Sequence, residues 1–190
     1  MTRVFTVSSS IIVDDVSPEE AFRAVSCPAD MGRWSPENRG TTAGSPAGPA
    51  ALGSTFVGRN KRGMFRWVTR CKVTAADPGS RFAFRVCAIG VGRPRLRAPI
   101  ATWEYRFEAV DGGTRVTETW TDDRRRWPTF AARAFDWVAT SGKTFAAFQA
   151  RNIEITLRNL KRELEHDPME AETPALVVRP GEAGGATLSN

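Results

Sequence analysis

The sequence predicts an α+β protein in which a curved antiparallel sheet of about six strands packs against one long C-terminal helix. Three observations support this fold class. Residues 3–13 and 54–122 alternate between apolar and polar side chains in strand-length runs, and short glycine-containing turns join many of these runs. After residue 127 the apolar spacing becomes three or four residues, which is typical of a helix. A mostly antiparallel sheet needs one face covered, and only the last helix is long enough to cover it.

The N-terminal region predicts one strand followed by two short helices. Residues 3–13 form the strand, because their apolar side chains at alternate positions share one face. Ser17 is a suitable helix cap, a proline follows it in the first turn, and Glu20 stands at the capping-box position. A second helical turn ends near Trp34. Residues 39–52 are rich in glycine, proline and alanine, and they predict a long loop.

The central region predicts five further antiparallel strands. Gly63 suits the turn of the first hairpin, and the Asp-Gly-Gly sequence at 111–113 is a strong turn signal for the last one. Residues 90–99 contain three arginines and two prolines, and they predict a ten-residue basic loop. The predicted strands span residues 54–60, 64–74, 81–89, 100–110 and 114–122.

The C-terminal region predicts a helix and a tail. Residues 145–164 carry a single apolar stripe, which indicates a helix of about 20 residues, and residues 130–138 fit a shorter amphipathic helix. Residues 168–190 are rich in Glu, Ala, Gly and Pro without any amphipathic period, so they predict a disordered tail. We therefore expect a single domain over residues 1–167.

The rare residue types exclude several kinds of chemistry. The chain has one histidine, His166, so neither a multi-histidine metal site nor a histidine-based catalytic triad is expected. Its three cysteines, Cys27, Cys71 and Cys87, include no CxxC pair, which argues against a zinc ribbon and a disulfide framework. A dinucleotide-binding fingerprint is also absent from the sequence. We therefore expect no metal and no cofactor.

Hydropathy and charge predict where the protein acts and what it contacts. The sequence lacks a signal-peptide core and any apolar stretch of about 18 residues, so we expect a cytoplasmic protein without a transmembrane segment. The net charge is +6, with basic clusters at 59–62, 93–97 and 124–126 near predicted strand ends. These clusters predict solvated rims, with peripheral contact to an anionic surface as the alternative. Alternation turns the tryptophans away from the arginines, so a nucleic-acid partner is not expected.

The same alternation selects the side chains on the covered face of the sheet, where a gap beneath the helix would hold a small molecule. Aromatic side chains dominate this face. The helix offers Phe145, Phe148, Gln149 and Asn152, which either pack against the sheet or contact the ligand. We expect the ligand to contact Phe56, Asn60, Trp67, Phe84, Trp103, Tyr105, Glu118, Trp120, Phe148 and Asn152.

Several of these residues have two interpretations. Glu118 stands between Val116 and Trp120 on this face, and an unpaired buried carboxylate is unfavourable, so it either pairs with an arginine on a neighbouring strand or contacts the ligand. Asn60 either hydrogen-bonds within its hairpin or contacts the ligand. The tryptophans either fill the core or line the gap. If the site is catalytic, the candidates are Glu118, Asp122 and Tyr105.

Five short motifs occur in an order that is typical of one known family. They are VSPEEAF at 16–22, WSP at 34–36, GSTFVGRN at 53–60, GTRVTE at 113–118 and LRNLKRELE at 157–165. On these motifs, over about residues 3–166, the chain resembles the START-like helix-grip superfamily (SRPBCC) and, within it, the polyketide cyclase/dehydrase and lipid-transport group. The sequence departs from the family pattern at Cys27, where an Asp is common, and in the arginine-rich loop before Pro99.

The resemblance implies a helix-grip fold whose cavity binds a hydrophobic small molecule of the lipid, polyketide or isoprenoid type. One alternative is a true cyclase that catalyses aldol cyclisation and dehydration, with a cavity carboxylate as base and Tyr105, Asn60 or an arginine as hydrogen-bond donor. A second alternative is a module that binds a protein partner or an anionic surface. We expect a monomer or a homodimer.

Overall fold

A computed structural model describes residues 3–128, 132, 136–137, 140 and 144–166. Seven strands form one antiparallel sheet in the order β1-β7-β6-β5-β4-β3-β2. The sheet curls into a half-barrel around the C-terminal helix, as the predicted helix-grip fold requires. The elements are β1 (Thr6–Asp14), α1 (Pro18–Val25), a 3₁₀ helix (Asp30–Arg33), β2 (Asn38–Thr41), β3 (Thr55–Arg62), β4 (Phe65–Asp77), β5 (Arg81–Gly90), β6 (Leu96–Val110), β7 (Gly113–Asp122), a 3₁₀ turn (Arg124–Arg126) and α2 (Phe145–His166).

The sheet has one strand more than the sequence predicts, because β2 forms at the start of the expected loop 39–52. Its four residues show no apolar alternation and are held by backbone pairing with β3, where Asn38 stands opposite Asn60. The Asn38 side chain accepts a hydrogen bond of 2.6 Å from the amide of Gly40, whose φ is +77°. Because backbone pairing and a turn form this edge strand, apolar periodicity does not predict it.

Strand β6 begins four residues earlier than predicted, which shortens the basic loop to residues 91–95. The register between β5 and β6 shifts between Val86 and Ala88, so β6 bulges where Pro99 lies. Proline cannot donate to a strand ladder, but a bulge tolerates it. Of the two prolines in the predicted ten-residue loop, Pro94 therefore lies in the shortened loop and Pro99 lies within β6.

Helix α1 closes one end of the half-barrel. The predicted capping box is present: the Ser17 hydroxyl accepts from the Glu20 amide at 3.3 Å, and the Glu20 carboxylate accepts from the Ser17 amide at 2.8 Å. Phe22 points from this helix into the sheet, and its ring stands edge-on to Phe82 and Phe107. This aromatic cluster fills the end of the barrel that carries the β4–β5 and β6–β7 turns.

Helix α2 covers the concave face, as predicted, and extends over 22 residues. Ile153, Leu157 and Leu160 form its buried stripe. Near its C-terminal end, the ammonium of Lys161 donates to the Ile12 carbonyl at 2.8 Å and to the Asp14 carboxylate at 2.9 Å. These contacts fix the helix against β1.

Two sequence predictions fall outside the described residues. They are most of the short helix at 130–138 and the tail at 168–190, so both stay predictions. Within the part of the chain that the structure describes, no helix is both long enough and apolar enough to cross a membrane.

Candidate functional site

A cavity of about 640 Å³ lies between the concave face of the sheet and helix α2. The strands β3 to β7 supply most of its wall, and Phe145, Gln149, Asn152 and Thr156 of α2 supply the opposite side. The aromatic cluster around Phe22 closes one end. At the other end the lining includes exposed residues of the β3–β4 turn and the β5–β6 loop, so the cavity reaches solvent there.

Nine of the ten ligand contacts expected from the sequence line this cavity. They are Phe56, Asn60, Trp67, Phe84, Trp103, Tyr105, Glu118, Trp120 and Asn152. The antiparallel register explains why they meet, because residues directly opposite each other share a face. It pairs Asn60 with Trp67, Trp103 with Trp120, and Tyr105 with Glu118.

The remaining expected contact, Phe148, does not line the cavity. Its ring packs beneath the guanidinium of Arg62, whose central carbon lies 3.9 Å from the ring centroid. The helical stripe that contains Phe148 is wide, and Gln149 takes the inward position beside it. Helical spacing alone does not distinguish these two neighbours.

The two strand bulges change which β5 and β6 side chains face inward. Strict alternation from Phe84 would place Ala88 on the inner face. An extra residue, Cys87, interrupts the pairing of β5 with β4, so Ile89 lines the cavity whereas Ala88 does not. On β6 the bulge brings the consecutive residues Ile100 and Ala101 to the cavity wall. Strict period-two alternation misses both effects because a bulge reverses its phase.

Tyr105 and Glu118 form a buried pair deep in the cavity. The phenol of Tyr105 donates a hydrogen bond of 2.7 Å to Oε1 of Glu118, and both side chains are at least 95% buried. Burial raises the pKa of Glu118 to about 8, although the bond from Tyr105 opposes this shift. Burial, and then the neighbouring Glu118, raise the pKa of Tyr105 well above its ordinary value. At neutral pH both groups therefore hold their protons.

Three cavity-lining side chains have buried polar atoms without a partner among the described residues. These atoms are Oε2 of Glu118, Nε1 of Trp120 and Oε1 of Gln149. Buried polar groups in proteins are almost always hydrogen-bonded, because an unmet group loses its water without replacement. The three atoms comprise an acid hydroxyl donor, an indole donor and an amide acceptor.

Arg62 lies at the cavity edge and connects three elements around the opening. It forms an ion pair with Glu37, and its guanidinium lies over the rings of Phe148 and, at 5.5 Å, Trp67. The sequence predicts Arg62 as part of the solvated basic cluster at 59–62 and does not predict this role. An arginine that follows alternating strand residues gives no local sign that a helix 86 residues later will pack against it.

The catalytic candidate Asp122 does not line the cavity. Its carboxylate accepts from Arg124 at 2.9 and 3.0 Å and from Arg3 at 2.6 Å. Burial acts to raise the pKa of Asp122, but the hydrogen bonds from the two arginines outweigh it and hold the pKa below its ordinary value. Asp122 is therefore a structural anion.

Arg124 itself corrects the interpretation of the cluster at 124–126 as a solvated rim. Its side chain is fully buried, and it also contacts Asp136 at 2.8 Å and the ring of Phe145 at 4.8 Å.

The other carboxylate of the cavity wall, Glu37, is paired with Arg62. Within the described ranges, no group of three or more His, Cys, Asp or Glu side chains is placed to hold a metal ion.

Known structures share this architecture at low sequence identity. Protein CV1439 from Chromobacterium violaceum superposes with a TM-score of 0.58 at 12% identity, covering 85% of this chain and 99% of its own. The Polyketide_cyc-like protein Cgl2372 from Corynebacterium glutamicum gives 0.53 at 23% identity, covering 91% and 99%. The Aha1 dimer from Colwellia psychrerythraea gives 0.52 at 17% identity, covering 85% and 97%. These similarities establish the fold alone.

The sequence itself gives the family. No curated protein matches the chain. The family model for polyketide cyclase / dehydrase and lipid transport matches residues 4–165, which include every strand, α1 and nearly all of α2. The chain therefore belongs to the polyketide cyclase / dehydrase and lipid transport family.

Proposed function

We propose that the protein binds a small molecule with an apolar, ring-containing body and one polar end, and that the polar end lies against Glu118. The observation that carries this proposal is the combination of an aromatic cavity with three unpartnered polar atoms in its wall. Ligand sites commonly have volumes of roughly 300–1,000 Å³ and combine an apolar wall with a few polar groups. The family description names polyketides and lipids, which combine apolar portions with oxygen-containing groups.

The chemistry of the wall defines the polar end of the ligand. The protonated carboxyl of Glu118 and the indole N–H of Trp120 donate, so they suit a carbonyl or ether oxygen. The side-chain carbonyl of Gln149 accepts, so it suits a hydroxyl or enol. A carbonyl with a neighbouring hydroxyl or enol satisfies both requirements. An anionic head group does not, since the cavity would then hold an unpaired charge close to Gln149 Oε1 and Tyr105.

An acetylnaphthol and ethylnaphthalene provide a matched pair of probes. Both are bicyclic, but only the acetylnaphthol carries a carbonyl acceptor beside a hydroxyl donor. Quenching of tryptophan fluorescence reports binding, because Trp67, Trp103 and Trp120 line the cavity. We expect the acetylnaphthol to bind at least about tenfold more tightly, as one or two hydrogen bonds to buried groups would give.

Two variants at one position test the role of Glu118. Glu118→Gln keeps a donor and an acceptor, so it is expected to preserve the preference for the acetylnaphthol. Glu118→Leu has similar volume without polar atoms, so it is expected to remove the preference while ethylnaphthalene still binds. Equal binding of the two probes by the unmodified protein would contradict the proposed polar end. Failure of both probes to bind would contradict the proposed cavity site.

Cyclase activity is the second candidate, and the buried Tyr105–Glu118 pair is the observation that favours it. A group that is protonated at neutral pH polarises a carbonyl rather than removing a proton, so Glu118 would act as the acid and not as the base expected from the sequence. Burial also raises the pKa of the cavity thiol of Cys71 to about 12, which leaves it protonated. The described wall thus supplies an acid without an unpaired base, and this favours binding over catalysis.

Turnover of a linear poly-β-ketone distinguishes the two candidates. Cyclisation that Glu118→Gln abolishes, while binding of the acetylnaphthol persists, would establish the enzyme. Binding of the poly-β-ketone without conversion is the result we expect.

A further inference from the structure

The open end of the cavity carries exposed apolar side chains on two neighbouring loops. Met64 in the β3–β4 turn is 98% exposed, and Val91 in the β5–β6 loop is 78% exposed. Phe65 and Leu96, the first residues of β4 and β6, are also largely exposed. Met64, Phe65 and Val91 belong to the cavity lining, so these apolar groups surround its mouth.

Basic side chains flank the same loops. Arg66 follows Phe65, whereas Arg93, Arg95 and Arg97 surround Leu96, and all four are exposed. None of these four has a carboxylate within ion-pairing distance among the residues that the structure describes. This differs from the arginines at 81, 106 and 115, each of which pairs with an acid on the sheet, and from Arg85, which pairs with Asp123 just after β7. Four exposed arginines without an ion pair in the described structure therefore lie near the mouth.

We propose that this mouth surface, formed by the exposed residues 64–66 and 91–97, docks onto an anionic lipid bilayer. Apolar tips that project beyond a ring of cations match the interface of a membrane, where side chains enter the acyl boundary and arginines remain beside the phosphates. The positive cluster complements an anionic leaflet in charge. A second copy of the chain would instead bring two positive surfaces together.

Nucleic acid fits the same surface less well. Binding to single strands uses exposed aromatic rings on which bases stack, and duplex binding places few apolar side chains at the contact. Here Phe65 is the one aromatic ring among the four exposed apolar side chains of the mouth, Trp67 and Trp103 line the cavity, and the most exposed tips are the aliphatic Met64 and Val91. Docking on a bilayer would place the cavity opening at the acyl boundary, from which an apolar ligand could enter without crossing water.

Co-sedimentation of the full chain, without added ligand, tests the proposal. The vesicles are either phosphatidylcholine alone or phosphatidylcholine with about a quarter phosphatidylglycerol. At that content of anionic lipid each surface arginine contributes measurably to binding. We expect binding only to the anionic vesicles and a marked loss of binding as salt is raised, because salt screens surface charge.

Two variants and their matched controls locate the surface. Arg93→Gln with Arg95→Gln is expected to weaken partitioning by about 25-fold, or about fivefold for each arginine. Lys72→Gln with Arg115→Gln removes the same charge near the opposite end of the sheet and is expected to have a much smaller effect. Met64→Glu is expected to abolish binding, whereas Leu52→Glu, at a residue 68% exposed before β3, is expected to preserve it.

Three results would overturn the docking surface. They are equal binding to both vesicle types, equal losses in the test and control variants, and affinity for duplex DNA equal to that for anionic vesicles. Acetylnaphthol binding by the Arg93/Arg95 variant is measured in parallel. Its retention alongside lost vesicle binding would support a docking role that is separate from the cavity site.

Discussion

The phenol of Tyr105 lies 2.7 Å from Oε1 of Glu118 and donates to it, and both side chains are buried in the wall of the cavity. The pair stands on adjacent strands, β6 and β7, at directly opposed positions. The second carboxyl oxygen of Glu118, Oε2, has no partner among the described residues. Burial keeps the acid protonated even though the hydrogen bond from Tyr105 favours its ionised form. This has consequences for both stability and binding.

Stability is expected to fall as pH rises through the neutral range. The unfolded chain releases the Glu118 proton near pH 4.5, whereas the folded protein keeps it until a pKa of about 8. Between these values the folded state binds more protons, so the free energy of unfolding decreases by roughly 1.4 kcal/mol per pH unit from this group. Chemical denaturation at several pH values measures the slope.

Glu118→Gln is expected to remove that contribution, because a carboxamide does not ionise. The variant should gain stability relative to the unmodified protein as pH rises from about 5 to about 8. Glu108→Gln is the matched control, since that glutamate on β6 is solvent-exposed. Within the described structure it forms one ion pair, with Arg115 at 3.6 Å. Parallel pH profiles for the unmodified protein and Glu118→Gln would contradict the assignment of a buried neutral acid.

The face of the sheet on which each site residue lies could be predicted, because strand alternation is a local property. Trp67, Trp103, Tyr105 and Glu118 all follow from the period of two and lie together in the cavity. The bulge at Cys87 could not be predicted, because it depends on how two strands pair. The aromatic wall of the cavity could therefore be predicted, but the place of Ile89 in its lining could not.

The sequence also could not predict which charged side chains form ion pairs in the folded protein. Arg124 resembles its neighbours in a run of three arginines, yet its side chain is fully buried whereas that of Arg125 is exposed. Its acidic partners are Asp122, two residues earlier, and Asp136, and Asp122 also binds Arg3 from the other end of the chain. Only the assembled sheet brings these groups together.

Removing the buried cation is expected to destabilise the protein strongly. Arg124→Met leaves Asp122 buried with one fewer partner, and the loss of one member of a buried ion pair typically costs about 3–5 kcal/mol. Arg115→Met, which breaks an exposed pair with Glu108, should cost less than about 1 kcal/mol. Denaturant midpoints of the two variants give the comparison. Similar midpoints would show that the Arg124 cluster contributes little to stability.

Gly113 is expected to tolerate no side chain. A Cβ at this position would lie 2.1 Å from the carbonyl oxygen of Val13, on the strand that pairs with β7. Gly113→Ala should therefore displace β1, the strand against which α2 packs, and lower the thermal midpoint by several degrees or more. Gly48→Ala is the control, because a Cβ there meets no atom within 4 Å and φ is not positive. Equal midpoints for the two variants would contradict this account of the β1–β7 edge.

Arg62 is expected to control the rate at which ligand enters and leaves the cavity. Its contacts with Glu37 and the ring of Phe148 hold the β3–β4 hairpin against the first turns of α2, beside the cavity opening. Arg62→Ala removes an ion pair and a close cation–π contact, which together are worth about 1–2 kcal/mol. Stopped-flow quenching with the acetylnaphthol should therefore show association and dissociation both faster by about five- to twentyfold, with a smaller change in Kd. Arg66→Ala, four residues further along the hairpin and pointing to solvent, is expected to leave both rates unchanged in solution. A variant at Arg62 that changed Kd through dissociation alone would instead mark the guanidinium as a direct ligand contact.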